Sequence, residues 1–206
     1  MGYFPFFVDL SGKEGLVVGG GDVALRKIEK LLPYGPHLTV AALSWREELE
    51  QIQGLSLVRK AFEESMVEGK YFVIAATDDQ ALNEQISRLC RERNILVNVV
   101  DDKEECTFLF PSLVKRGKLS IGISTEGASP SGAIHIKNHL NQWLPKSFDE
   151  ILDFLEKTRI LVKAQVPQEK RRSLVFSKMF EQCMEKGRGL TEGEIRGILE
   201  KADEDD

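Results

Sequence analysis

The chain has 206 residues and is 42% hydrophobic, which supports a core of ordinary size in one large or two small domains. Its formal net charge of −5 argues against a nucleic-acid or membrane-surface role, and no apolar run approaches the ~18 residues of a membrane span. Cys90, Cys106 and Cys183 are odd in number and widely spaced, which suits reduced cytoplasmic thiols rather than disulfides or a zinc cage. Residues 4–10 are apolar around Asp9 and predict a short edge strand, which turns at 11–13 into a first core strand over 15–18. A helix is predicted over 23–32, closed by Pro33 and Gly35. Residues 38–43 read as a second strand, 46–51 as polar and helical, and 55–59 as a third short strand. The unbroken apolar run 71–76 is what a parallel strand buried on both faces needs. Thr77, Asp78 and Asp79 supply the turn and N-cap of a helix over 80–93, and another buried strand follows at 95–100. The alternation β-α-β-β-α-β within about 100 residues predicts a doubly wound α/β sheet.

After Val100 the character changes. Two strand-like runs, 107–114 and 119–124, flank a turn at 115–118. A loop of small residues, 124–130, leads to a helix over 131–144 that ends at Pro145. Apolar residues at 151, 152, 155, 160 and 161 predict helix from Phe148 onward. Further helices are expected over 173–186 and 191–201, the last opened by a capping box of Thr191 and Glu194. The acidic tail, 202–206, is expected to fray.

The chemistry gathers at VVGGGDVA, residues 17–24. Gly19, Gly21 and Ala24 fit G-x-G-x-x-[GA] between a buried strand and an amphipathic helix, the opening of a dinucleotide-binding βαβ unit. A glycine lets the chain turn sharply at positive φ; the second lets backbone approach a pyrophosphate; a small third residue lets the helix close on the strand. The helix N-terminus then points free N–H groups at the phosphates. Gly19, Gly20 and Gly21 are therefore candidate cofactor contacts. No carboxylate ends the second strand to hold a ribose 2′-hydroxyl. Ser44 can hydrogen-bond a ribose hydroxyl, whereas Arg46 would favour a 2′-phosphate unless it is a solvated helix residue, so motif logic leaves NAD and NADP open.

Ligands of open α/β sheets bind at the carboxyl ends of the strands, where residues 19–23, 75–79 and 98–102 fall. Thr77 and Asp78 either cap a helix or also meet the nicotinamide side of a cofactor. Asp101 follows a buried strand, where a substrate would face a nicotinamide ring. A carboxylate beside apolar walls is suited to act as a base; the plainer reading is a turn residue paired with Lys103. His135 and His139 lie four apart on one helix face, but nothing in the H-E-x-x-H sense accompanies them, and no metal site is assigned. No G-x-S-x-G elbow, CxxC pair or P-loop lysine is present.

The ordered set FPFFVDL, LVVGGGDVALRK, AATDD, NVVDD, TFLFPS and STEGASP resembles the precorrin-2 dehydrogenase/sirohydrochlorin ferrochelatase family, the siroheme synthase module. The likeness is close over residues 1 to about 145 and looser beyond. It implies a Rossmann domain over 1–112, a dimerisation region over 113–146 and a helical domain over 147–206. It implies a cytoplasmic homodimer that exchanges elements around 113–145 and oxidises precorrin-2, a tetrapyrrole, to sirohydrochlorin with NAD. Many members then insert Fe²⁺, so ferrochelation is a further expectation; dehydrogenation alone and a non-enzymatic NAD-sensing dimer are the alternatives. The family's catalytic aspartate falls on Asp101, and its cofactor contacts fall on Asp22, Val23, Leu43 and Ser44. Candidate substrate contacts are Asn98, Thr125 and Ser129, with Thr125 standing where the family has serine. The methyltransferase domain of longer homologues has no counterpart in this sequence, so a separate protein is expected to supply precorrin-2. No nucleic-acid or membrane partner is implied.

Overall fold

Glu14–Val18 forms β1, buried at every position after Glu14. It is the central strand of a five-stranded parallel sheet in the computed structural model, which describes residues 2–204. Around it lie β2 (His37–Ala41), β3 (Ser56–Val58), β4 (Phe72–Ala75) and β5 (Leu96–Val99), in the order β3-β2-β1-β4-β5. The pairs Val18↔Ala41, Val18↔Ala75 and Ala75↔Val99 level the carboxyl ends of four strands. The chain divides into two units, 1–110 and 111–206, and the sheet belongs to the first.

Both faces of the sheet are apolar because strand side chains alternate. Leu16, Val18, Val73, Ala75, Val97 and Val99 turn to one face, where Ile86, Leu89 and Cys90 of α2 (Gln80–Glu92) cover them. Val17, Val40, Phe72 and Ile74 turn to the other, against Ala24, Ile28 and Leu31 of α1 (Asp22–Leu31). Truncating a fully buried aliphatic such as Ile28 to alanine costs roughly 2–5 kcal/mol in such a core. Helix α1 runs into a 3₁₀ turn at Leu32–Tyr34 carrying Pro33, and Gly35 at φ +70° ends it by donating to the Leu32 carbonyl at 3.1 Å.

Two expectations need correction here. Residues 4–10 form no strand: they pair with no strand of the sheet, and Phe4, Phe6 and Phe7 stand exposed. Residues 46–51 are helical as read, in the 3₁₀ form over Glu47–Gln51, with Leu49 as the one buried side chain. The run 107–114 is not one strand. Thr107 is pinned beside β5, its hydroxyl accepting from the Val97 amide at 2.7 Å, and the strand begins only after Pro111.

In the second unit, β6 (Ser112–Arg116) and β7 (Leu119–Ile123) form an antiparallel hairpin closed at Gly117, φ +49°. Ser129 caps α3 (Pro130–Trp143), its hydroxyl accepting from the Gly132 amide at 3.0 Å, with Pro130 in the first turn. Val114, Leu144 and Phe148 form a small core with Leu119, Ile121 and Leu140 against it. The helices α4 (Phe148–Gln165), α5 (Glu169–Lys186) and α6 (Glu192–Glu204) enclose a second one around Ile151, Val162, Val175, Met179 and Ile198. Helix α5 starts four residues earlier than the apolar pattern indicated, because its first turn, Glu169 to Arg172, is charged throughout. Asp205 and Asp206, at the end of the acidic tail, lie outside the described residues.

The capping box at α6 is formed. The Thr191 amide donates to Glu194 at 2.7 Å, and the Glu194 amide reaches the Thr191 hydroxyl at 3.4 Å. Arg188 and Lys186 also grip Glu194, so its carboxyl is held far below the usual carboxylate range, with the Arg188 hydrogen bond the largest cause. Thr191→Ala should lower stability by about 1 kcal/mol in urea titration. Glu194→Gln should flatten acid unfolding, because the carboxylate's contribution is present above its unfolded pKa and lost as pH falls.

Candidate functional site

The carboxyl ends of β1, β2 and β4 converge on the three glycines. Gly19 sits at φ +113°, and a Cβ there would lie 2.1 Å from the Ala76 carbonyl oxygen. At Gly20 a Cβ would lie 2.5 Å from the Ser44 carbonyl oxygen. Backbone bonds close the junction: Gly19 N–H to Ala41 O at 3.0 Å, Ala76 N–H to Val18 O at 2.8 Å, and Arg46 N–H to Gly20 O at 2.9 Å. Gly21 differs. It has ordinary extended backbone, and a Cβ there would meet nothing within 4 Å. It is the N-cap of α1 and supplies no side-chain cap, so the first N–H groups of the helix face the opening.

That opening is a cleft of about 620 Å³. Gly19, Gly20, Gly21, Leu43, Ser44, Thr77 and Asp78 all line it. Asp22 and Val23 form the first turn of α1 at its edge, and Asp22 binds Arg46 of the opposite loop at 3.3 Å. Arg46 also reaches Glu48 at 3.1 Å, and these carboxylates raise the guanidinium pKa further. Thr77 is fixed by Asn83, whose amide donates to the Thr77 carbonyl at 3.0 Å while its oxygen accepts from the Thr77 hydroxyl at 2.7 Å. The helix cap is Asp79, which accepts from the Leu82 amide at 3.1 Å. Asp78 is left exposed on the rim.

Sequence reasoning missed the wall made by Lys60, Ala61 and Phe62. They follow β3, so the rule that ligands meet the carboxyl ends of parallel strands, applied to the edge strand as well, would have found them. It also missed Trp45 as a fixed wall: its indole donates to Glu50 at 2.8 Å, and the Arg59 guanidinium lies 4.5 Å from the ring centre.

Asp101 follows β5 at φ +60°, exposed, with no hydrogen bond or ion pair among the described residues. Its carboxylate is exposed rather than set against apolar side chains. Asn98, three residues earlier, is buried rather than open to a ligand. Its oxygen accepts from Lys27 at 2.7 Å; its amide donates to the Phe108 carbonyl at 3.0 Å and the Cys106 sulfur at 3.4 Å. Thr125 and Ser129 belong to the second unit, where the Ser129 amide donates to the Thr125 hydroxyl at 3.2 Å. His135 and His139 stack edge to face at 4.4 Å on α3, and no group of three metal-ligating side chains occurs among the described residues. Cys90, Cys106 and Cys183 are free and buried. Among the described residues no helix is long and apolar enough to cross a membrane.

A parallel sheet wrapped on both faces, with a glycine turn feeding an uncapped helix N-terminus, defines a Rossmann-type dinucleotide-binding protein. The family model described as putative NAD(P)-binding matches residues 6–112, and the chain belongs to that family. A siroheme synthase of Actinobacillus pleuropneumoniae serotype 3 is 37% identical over 183 residues, 87% of this chain and 38% of its own length. One of Sodalis glossinidius is 43% identical over 148 residues, 70% of this chain and 31% of its own length. The chain thus spans well under half of these relatives. The solved structure of SirC, precorrin-2 dehydrogenase, superposes with a TM-score of 0.75 at 27% identity, covering 98% of this chain and 100% of that one. These relatives bear out the resemblance read from the sequence.

The two glycines should separate fold from binding. Gly21→Ala should melt near the parent and bind a nicotinamide dinucleotide about tenfold more weakly, since the added methyl would enter the open space beside the start of α1. Gly19→Ala should lose several kcal/mol of stability, because backbone blocks its Cβ. Thermal melts beside a fluorescence titration of the cofactor would check both.

Proposed function

We propose that the chain is an NAD-dependent precorrin-2 dehydrogenase that forms sirohydrochlorin in siroheme synthesis. The observation that carries this reading is the end-to-end match to SirC, precorrin-2 dehydrogenase, over 98% of this chain and 100% of that one. The likeness to siroheme synthases along 87% of the chain supports the same pathway.

The residues fit a dinucleotide. The open side of Gly21 and the uncapped start of α1 suit a pyrophosphate, and Ser44 suits a ribose hydroxyl. Arg46, the candidate for a 2′-phosphate, is already committed to Asp22 and Glu48, which supports NAD over NADP. Bound there, NAD would supply the acceptor for a hydride leaving a ring carbon of precorrin-2. The chain's own task is to orient the substrate and to take the accompanying proton, and the exposed carboxylate of Asp101 at the end of β5 is the base in this reading. Fe²⁺ enters as substrate in the further proposed ferrochelation, displacing two pyrrole N–H protons, which the exposed carboxylate can take one at a time, passing each to solvent before the next.

The proposal extends to a homodimer through residues 113–145. Ile136 and Trp143, seven apart on one face of α3, are exposed at 46% and 64%. Free, buried cysteines accord with a cytoplasmic setting.

Four measurements test this. Turnover of precorrin-2 with NAD should produce sirohydrochlorin absorbance, and Asp101→Asn should slow it on the order of 10²-fold. A parent rate in Asp101→Asn would remove it as the base, and separate assay of Fe²⁺ insertion would divide a bifunctional enzyme from a dehydrogenase alone. NAD should bind about tenfold more tightly than NADP, and Asp22→Ser with Glu48→Gln should narrow that gap by freeing Arg46. Trp143→Lys should shift sedimentation from dimer to monomer.

A further inference from the structure

On α1, Ala24, Ile28 and Leu31 form the buried stripe, and Lys27 lies on that stripe rather than on the solvent side with Arg26 and Lys30. It is half-buried, its ammonium 4.2 Å from the centre of the Phe110 ring and 2.7 Å from the Asn98 oxygen. Asn98 in turn is the polar residue on the α1-facing side of β5, where neighbouring positions are apolar. Two leucines facing each other would fill an ordinary Rossmann core at lower cost. Burial pushes the Lys27 pKa from 10.5 down to about 8, a shift strengthened by Lys30 and Arg26 on its own helix and opposed by Cys106 and Asp101 from across the sheet. A charged group kept at such a cost, within the electrostatic reach of a candidate catalytic carboxylate, calls for a role other than packing.

The hydrogen bonds supply one. With its oxygen on Lys27 and its amide on Phe108 and Cys106, Asn98 cannot turn. The Cys106 sulfur faces the carbonyls of Val99 and Asp102 at 3.2 and 3.1 Å, and the Val99 amide donates to it at 3.2 Å. Val99 and Asp102 flank the turn that carries Asp101 in the left-handed region, a conformation that non-glycine residues adopt only when their surroundings hold them.

We propose that Lys27 is a positioning residue: its ammonium locks Asn98, and through Asn98 and Cys106 it holds the turn that presents Asp101. The functional part of this proposal rests on the dehydrogenase reading; the lock itself does not. It is tested first on the full chain without ligand, labelled with ¹⁵N-asparagine. The Asn98 side-chain amide signals should move with a midpoint near pH 8 in the parent and should not do so in Lys27→Met. A parent signal that stays still through that range, or one that titrates equally in Lys27→Met, would overturn the lock. In turnover, Lys27→Met should lower kcat about tenfold with the NAD dissociation constant unchanged, since Lys27 lies beyond the first turn of α1, whose N–H groups face the cleft. The parent rate should fall above pH 8, and Lys27→Arg, which stays charged, should show no fall there. A Lys27→Met enzyme with the parent's kcat and pH profile would overturn the role in catalysis. If the parent itself does not oxidise precorrin-2, the dehydrogenase reading fails, while the Asn98 titration still decides the lock.

Discussion

The structure of the first unit depends on how closely β1, β2 and β4 approach at their carboxyl ends. With 2.1 Å between a notional Cβ at Gly19 and the Ala76 oxygen, and 2.5 Å between one at Gly20 and the Ser44 oxygen, no side chain can stand at either place. The strands therefore close to backbone contact, and bonds from Gly19 to Ala41 and from Ala76 to Val18 tie the three ends together. Everything lining the cleft is placed by that closure. Ser44 and Leu43 leave β2 beside the turn, Thr77 leaves β4 beside it, and α1 starts immediately after it. The glycine motif in this chain thus does two separate jobs: Gly19 and Gly20 build the junction, and Gly21 leaves space beyond it.

The elements legible in the sequence are those whose pattern is set by burial on both sides. The runs at β1 and β4 are continuous apolar stretches because each successive side chain meets a covering helix, and such a run reads as strand without any context. The cap at Asp79 and the box at Thr191 and Glu194 were legible because capping is local chemistry. Residues 4–10 misled for the complementary reason. Their composition is that of a strand, but strand formation is a property of a pair, and no neighbour in the sheet takes them up. The start of β6 after Pro111 was hidden similarly, since Thr107 spends its hydrogen bonds sideways on β5 in a way no periodicity records.

Within the site, the glycine turn and its neighbours in the cleft were legible because ligand position in a parallel sheet follows from strand order alone. Side-chain commitments were not. Arg46 looks from sequence like a phosphate ligand or a solvated residue, yet Asp22, twenty-four positions away, and Glu48 already hold it. Lys27 reads in the sequence only as the end of the motif LVVGGGDVALRK, because a lysine inside RK on an amphipathic helix is ordinary; only the tertiary placement of Asn98 and Phe110 makes it a half-buried cation.

Asn98 shows how this changes the reading of chemistry. Its place near the end of β5 marks it as a substrate contact in sequence terms, but all of its polar atoms are engaged by Lys27, Phe108 and Cys106. A side chain so engaged influences a substrate through what it holds in place. What it holds is the short turn ending β5, and the exposed group on that turn is the Asp101 carboxylate. A Rossmann sheet needs its apolar faces only for stability, so a lysine and an asparagine facing each other inside one of them weaken the core they sit in. The cleft at the glycines accounts for where a dinucleotide is held, as it would in any member of the NAD(P)-binding family. The polar pair under β5 lies where such a fold gains nothing from polarity, and this is the observation that favours the proposed positioning role of Lys27 toward Asp101.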